Sequence, residues 1–218
     1  MSHGHENEYD FEPVPGLPEE LPDDESIVWQ GAPSFRGVAL HVLHIRKLAI
    51  YFAVLLGLRQ LWLAGNGQSL VTDFASTTGL VLTASVALGL LLLLAHLVAK
   101  TTLYTITTKR VVLRIGVALP MTLNLPFSKL DAADVRTHRD GTGDVFMRLR
   151  PGKRLSYIVL WPHLRPLRVI GVQPAMRGLP EPAVAAAHFA DAVRNNLGAA
   201  EVSTPGRVAE PGVAALNH

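Results

Sequence analysis

One run organises the whole chain. From Thr77 to Ala99 there is no Asp, Glu, Lys or Arg, only Leu, Val, Ala and other uncharged residues with a single polar ring, His96. Coiled as a helix, this stretch extends roughly 34 Å at about 1.5 Å per residue, enough to cross a hydrocarbon core about 30 Å thick. A soluble fold buries such a helix only inside a large core, and the remainder of a 218-residue chain is committed to other elements. The run therefore reads as a membrane span.

A second apolar run, Leu48 to Ala64, precedes it and is interrupted only by Arg59 and Gln60. The connection between the two, Gly65 to Ser76, carries turn-forming Gly65, Asn66 and Gly67, one acid, Asp73, and no Lys or Arg. Basic residues flank the pair on its other side: Arg36, Arg46 and Lys47 before, Lys100, Lys109, Arg110 and Arg114 after. Because cytoplasmic flanks of membrane helices are enriched in Lys and Arg, this asymmetry predicts a two-helix hairpin with both ends in the cytoplasm. With 49% hydrophobic and 17% charged residues, the chain suits partial embedding in a membrane.

The net charge of +2 hides a division. Nine of the 18 acids lie in the first 26 residues, which contain no Lys or Arg, so the remainder is strongly basic. Such a balance suits nucleic acid, but for basic arms beside a membrane the nearer partner is anionic lipid, and no nucleic-acid partner is expected. There is no cysteine, which excludes disulfides, zinc-thiolate sites and thiol catalysis. The acidic N-terminus does not read as a signal peptide, so the first span is expected to be an uncleaved anchor.

In chain order, residues 1–26 read as a disordered acidic arm, with four prolines and too little apolar surface to offset ordering. Residues 27–47 read as a short apolar docking stretch, Ile27 to Pro33, and an interfacial amphipathic helix on which Phe35, Val38, Val42 and Ile45 recur at helical spacing. The hairpin fills residues 48–99. From 100 to 198 the period changes to two, and strands are predicted at Leu103–Thr107, Val111–Ile115, Met121–Leu125, Asp134–Arg139, Val145–Leu149, Leu155–Trp161 and Leu167–Val172. A helix from Pro182 to Leu197 then begins on a proline and stops at Gly198, before a flexible tail, 199–218. About seven antiparallel strands capped by that helix make an α+β domain, a curved sheet or barrel.

Several residues carry possible chemistry. His3 and His5 lack further ligands, so a solvated terminus is the expectation. His41 and His44, three apart, present either a metal or pigment pair or an interfacial polar face, and the latter is the simpler. His96 can ligate a pigment magnesium, but it lies near the cytoplasmic end of its span, where a polar ring costs little. Arg59 either snorkels to the outer interface beside Trp62 or contacts a partner. Ser85 and Gly89 form a small-xxx-small pair through which another helix can approach, most simply the first span. Arg148, Arg150, Lys153 and Arg154 surround one turn, and are either a solvated surface or a contact for headgroups or a partner. His138-Arg139-Asp140 matches the opening of a kinase catalytic loop, yet runs into Gly141-Thr142-Gly143-Asp144 without the companion motifs, and its glycines fit a hairpin turn needing positive φ. No phosphate loop, zinc-protease helix or nucleophile elbow is present, so neither an enzyme nor a cofactor is expected.

Certain blocks resemble a known family. Tyr104-Thr105-Ile106-Thr107, Arg110-Val111-Val112, Arg114-Ile115-Gly116 and Pro126-Phe127 are similar to the bacterial pleckstrin-homology-like domain often attached to membrane helices. Pro15 to Pro18, Trp29-Gln30-Gly31, Ala118 to Phe127, His138 to Asp144 and Leu160-Trp161-Pro162-His163 resemble the PuhB-type photosynthetic-complex assembly proteins of purple bacteria. The resemblance implies a non-enzymatic factor in the inner or intracytoplasmic membrane, with reaction-centre and core-antenna polypeptides as partners. It carries no catalytic residues, and self-association into a homo-oligomer stays open, as does a general membrane-anchored lipid-binding or scaffolding module.

Overall fold

The computed structural model of the chain describes residues 16–17, 19–67, 73–117, 119–150, 155–168 and 170–203. Strand β1 (Ile27–Gly31) leads to Ser34, whose hydroxyl accepts from the Gly37 N–H and starts a single helical turn, α1 (Phe35–Gly37). A π-helical turn, Val38–Val42, follows and ends before His44, which stands at φ 56° and opens the first long helix, α2 (Ile45–Gly65). The second, α3 (Phe74–Thr101), feeds almost directly into β2 (Leu103–Thr107). Strands β3 (Arg110–Ile115) and β4 (Met121–Pro126) complete a four-stranded antiparallel sheet in the order β1-β2-β3-β4. Strands β5 (Leu130–Thr137), β6 (Gly143–Leu149) and β7 (Ala175–Leu179) form a second, three-stranded antiparallel sheet, with one short helical turn, α4 (Tyr157–Leu160), between β6 and β7. Helix α5 (Pro182–Ser203) closes the domain.

Both long helices are apolar enough to span a membrane. Their 21 and 28 residues correspond to roughly 32 and 42 Å, so α3 outlasts a core of about 30 Å and carries its last turns into the domain. Half-buried or buried positions on α2 (Ile45, Ala49, Phe52, Leu56, Arg59, Leu63) and on α3 (Ala84, Leu88, Leu91, Ala95, Val98) recur at alternating spacings of three and four, the pattern of two helices sharing one seam. Ala49, Ala84 and Ala95 on that seam are small, which allows close approach. Ile50, Val54, Leu58, Leu61, Leu82, Val86, Leu90 and Leu93 point outward and stay exposed, as lipid-facing residues do.

The hairpin is inserted between two neighbouring strands of one sheet. Ile27 lies opposite Thr107 and Gly31 opposite Tyr104, so the chain returns after α3 to the side from which it entered. The docking stretch of the sequence reading is thus an edge strand. Since β2 begins two residues after α3 ends, each strand has a membrane end and a far end. Leu103, Ile115, Met121, Thr137, Gly143 and Leu179 stand at the former; Thr107, Arg110, Pro126, Leu130 and Leu149 stand at the latter.

The domain core lies between the two sheets and α5. Tyr104, Ile106, Val111 and Leu113 from the first sheet meet Val145, Met147 and Met176 from the second, while Ala185, Phe189 and Ala192 of α5 close one side. Phe189 meets Phe127 edge-on, with centroids 5.8 Å apart. The sheets do not close into a barrel.

Four expectations need correction. Leu155–Trp161 is not a strand: its Leu160 and Trp161 amides bond back to Ser156 and Tyr157, making the α4 turn that Pro162 ends. Leu167–Val172 is not a strand either; Arg165 N–H to Gln173 C=O ties the base of a loop there, and the last strand is β7. The interfacial amphipathic helix is instead the broken α1 and π turn, with Val38, Ala39 and Leu43 buried against Ala95 and Val98 of α3. Helix α5 runs through Gly198 to Ser203, because one glycine costs a helix only about 1 kcal/mol and good helix formers follow it. The acidic arm is also anchored at its end: Asp24 pairs with Lys109, and Glu25 accepts from Arg110 Nε at 2.7 Å.

Candidate functional site

At the outer end of the hairpin, Arg59 is held within the chain. Its guanidinium pairs with Asp73 and donates to Thr77 Oγ1 at 2.8 Å and Ser76 Oγ at 2.9 Å, all at the start of α3. Gln60 adds a bond to Thr77 at 2.9 Å. A cation near the hydrocarbon is thereby neutralised by a carboxylate one helix away, which clamps the two spans together where the chain turns. Ser85 and Gly89 do not face the first span as expected. Both are exposed, and apart from its chain neighbours and its own helix backbone no described atom lies within 4 Å of a Cβ built on Gly89, so this face of α3 looks outward.

At the inner end, the hairpin is joined to the domain by backbone contact. Gly178, at φ 68°, accepts at its carbonyl from Ser34 N–H (2.8 Å) and Ser34 Oγ (3.1 Å). A Cβ on Gly37 would stand 2.6 Å from that carbonyl oxygen and 2.7 Å from the Gly178 Cα. Only glycine allows α1 to lie this close to β7.

Charged side chains surround this contact. Asp144, 1% exposed, accepts from the Gly178 N–H at 2.9 Å; Arg177 Nε lies 3.7 Å from the same oxygen and His138 Nε2 3.4 Å from the other. Arg177 also donates to the His41 carbonyl at 3.0 Å, tying β7 to the π turn. The His41 and His138 rings are stacked, 3.7 Å apart and within 4° of parallel, and His41 Nε2 meets Asp140 at 3.1 Å. Burial lowers the His138 pKa, against the pull of Asp144, so the stack keeps a neutral ring. Asp140 is held down to about 2, first by the Thr142 hydroxyl that donates to it at 2.8 Å and then by His41. The His138–Asp144 turn has Gly141 at φ 84°, as expected of a hairpin. Gly143 is needed for another reason: a Cβ there would lie 2.2 Å from the Arg136 carbonyl oxygen.

Behind the joint runs a neutral buried chain. Tyr104 Oη lies 2.8 Å from His163 Nδ1, and His163 Nε2 lies 3.3 Å from Thr102 Oγ1. Burial raises the Tyr104 pKa and depresses that of His163 to about 3, with Arg177 adding to the latter. Neutral His163 has one donor and one acceptor nitrogen, and with them it links the Tyr104 hydroxyl to Thr102. These groups hold position; they form no nucleophile and base pair. Among the described residues no group of His, Asp or Glu can hold a metal ion, and His41 spends its ring on His138 and Asp140 while His44 stays exposed at the helix start. His96 is exposed too, 6.4 Å from the Phe35 ring at the inner edge of α3.

Of the basic cluster, Arg148 and Arg150 are exposed at the far end of β6, and the Arg150 N–H bonds the Lys129 carbonyl there. Lys153 and Arg154 lie outside the described residues. At about 3.3 Å per residue, β6 separates Arg150 from the joint at Gly143 by more than 20 Å. Arg148 also reaches Asp134, at 3.8 Å, and Arg165 pairs with the same carboxylate at 2.9 Å while covering the Phe146 ring.

The sequence reading missed the joint itself. Gly37, Arg177 and Gly178 gave no local signal, Asp144 read only as the end of a hairpin turn, and His41 and His138 meet only after the hairpin folds back.

A sequence profile described as bacterial PH domain matches residues 45–192, both spans and most of the domain. An uncharacterized 23.7 kDa protein in the puhA 5′ region of Rhodobacter capsulatus is 36% identical over 199 residues, covering 90% of this chain and 92% of that protein. No solved structure matches.

Proposed function

The chain belongs to the bacterial PH domain family, and from that premise we propose that it is a non-enzymatic membrane assembly factor for the photosynthetic reaction centre and core light-harvesting (LH1) complex. The observation that carries this reading is the relationship, over 90% of the chain, to a protein of the puhA 5′ region. In this reading the protein sits in the inner or intracytoplasmic membrane with both termini in the cytoplasm. Support comes from the basic flanks Arg46 and Lys47 and from the shared sheet, which holds both ends of the hairpin on one side. The outward face of α3 with Ser85 and Gly89 receives a partner's membrane helix. Arg148 and Arg150, which stand away from the joint, take an acidic surface of a reaction-centre or core-antenna polypeptide, and Lys153 and Arg154, outside the described residues, are assigned to the same contact. Anionic lipid is left to the basic residues at the start of α2.

The test is deletion of the gene in a host that makes photosynthetic membranes. Reaction-centre and core-antenna bands in the near-infrared spectrum fall, while the remaining complexes keep normal band positions and normal activity each. Shifted bands would mark a structural or pigment-holding subunit instead. Unchanged bands with altered membranes in cells grown without photosynthesis would refute the assembly reading in favour of a general lipid-binding module.

A further inference from the structure

A cleft of about 460 Å³ opens where α3 leaves the membrane. One wall is Leu94 and Val98 of α3 itself; the others are Val117 and Leu119 from the β3–β4 connection and Val159 and Trp161 from α4 and the residue after it. On its floor are Thr102 and His163, which bond to each other. Burial keeps His163 neutral, so among the described residues no charged side chain lines the space. The rim residues Leu119 (84% exposed), Val159 and Trp161 present apolar surface to their surroundings.

Position decides what fills this space. The cleft lies at the membrane end of the strands, and its first wall is continuous with the lipid-facing surface of the span. Water there would find apolar walls and a floor whose polar atoms are already paired, and a buried water needs two to four polar partners. The volume falls in the range of about 300–1,000 Å³ typical of clefts that take a small ligand. From these observations we infer that the cleft is a lipid site, which admits one acyl chain of a phospholipid from the adjoining leaflet. Trp161 lies against that chain, and Leu119 stands beside it in the bilayer. The site fastens the domain to the lipid itself, in addition to its chain connections to the hairpin and the Gly37–Gly178 joint, and it does so whatever the protein assembles.

The three tryptophans, Trp29, Trp62 and Trp161, make the test direct. The full chain carrying Trp29→Phe and Trp62→Phe keeps Trp161 as its sole reporter, and it is titrated in detergent micelles with phosphatidylcholine brominated at mid-chain. Expected is quenching that saturates near one lipid per chain and is reversed by unbrominated lipid. Val117→Phe, or Leu94→Phe where that variant misfolds by circular dichroism, fills the cleft. Either raises the lipid needed for half-quenching more than tenfold, the effect of excluding roughly two methylenes at about fourfold each. Quenching that merely follows the lipid fraction in the micelle, or that is indifferent to the filling substitutions, overturns the site. Protection of Trp161 that grows with protein concentration alone also overturns it and assigns the cleft to a second copy of the chain.

Discussion

A methyl group on Gly37 meets three backbone atoms of Gly178, at 2.6, 2.7 and 2.9 Å. None can turn aside as a side chain would, so Gly37→Ala forces α1 and β7 apart by most of an ångström to restore ordinary contact. Overpacking of this kind costs about 1–3 kcal/mol. The same displacement stretches the two bonds from Ser34 to the Gly178 carbonyl, each worth about 0.5–1.5 kcal/mol. Alanine's better helix propensity returns up to about 1 kcal/mol, which leaves a local loss of roughly 2–3 kcal/mol. Hydrogen–deuterium exchange on the detergent-solubilised chain reads it directly: protection at the Ser34 and Gly178 amides falls about 30- to 150-fold, at a factor of ten per 1.4 kcal/mol. Amides of Ile106 and Leu113, in the middle of the first sheet, keep theirs. Unchanged protection at Ser34 and Gly178 would refute the close contact, and an equal loss across β2 and β3 would refute its local character.

Asp144→Ala leaves the Arg177 cation buried without its carboxylate, and is expected to lower domain stability by about 3–5 kcal/mol, part of which Arg177→Met restores in the double variant; chemical denaturation measures both. Arg59→Leu and Asp73→Asn should each destabilise the hairpin, and a double-mutant cycle of unfolding in detergent should show the double variant less destabilised than the sum of the two; additive effects would show that the pair does not clamp the spans. Protonation of His163 is disfavoured in the folded state, with its pKa at about 3 against 6.5 when unfolded. Stability is therefore full above about pH 6.5 and falls as pH drops from there toward 3, by at most about 1.4 kcal/mol per unit for this group. His138, also lowered by burial, acts in the same direction, so His163→Gln should reduce the acid slope without abolishing it; an unchanged slope refutes the assignment.

Much of this architecture is legible in the residues because it depends on local periodicity. The charge-free run marks α3 and the alternation after Lys100 marks β2, β3 and β4, while Pro182 marks the start of α5. Where the reading failed, the deciding forces come from elsewhere in the chain. Leu155 to Trp161 alternates as a strand does, but a short apolar run does not distinguish strand from helical turn, and burial of Leu160 in the core selected the turn. Ala175–Leu179 contains Gly178, a poor strand residue, and a charge at Arg177, and becomes β7 because Asp144 pairs with the charge and the close approach of Gly37 needs the glycine. The Ser85 and Gly89 pair is visible in sequence, yet which way it faces depends on the seam chosen by Ala84, Leu88 and Ala95. Stacking of His41 on His138 spans the hairpin and a whole sheet, beyond the reach of any local motif.

Insertion of the hairpin between β1 and β2 also sets a clock on synthesis. Roughly 70 residues separate Gly31 from Leu103, which at about 5–20 residues per second is some 4–14 s of translation. Throughout that interval β1 has emerged and has no neighbour, and it gains one only if β2 arrives on the same side of the membrane. A chain that crosses once strands β1 and β2 in different compartments, so closure of the first sheet excludes a chain in which just one of the two spans has inserted.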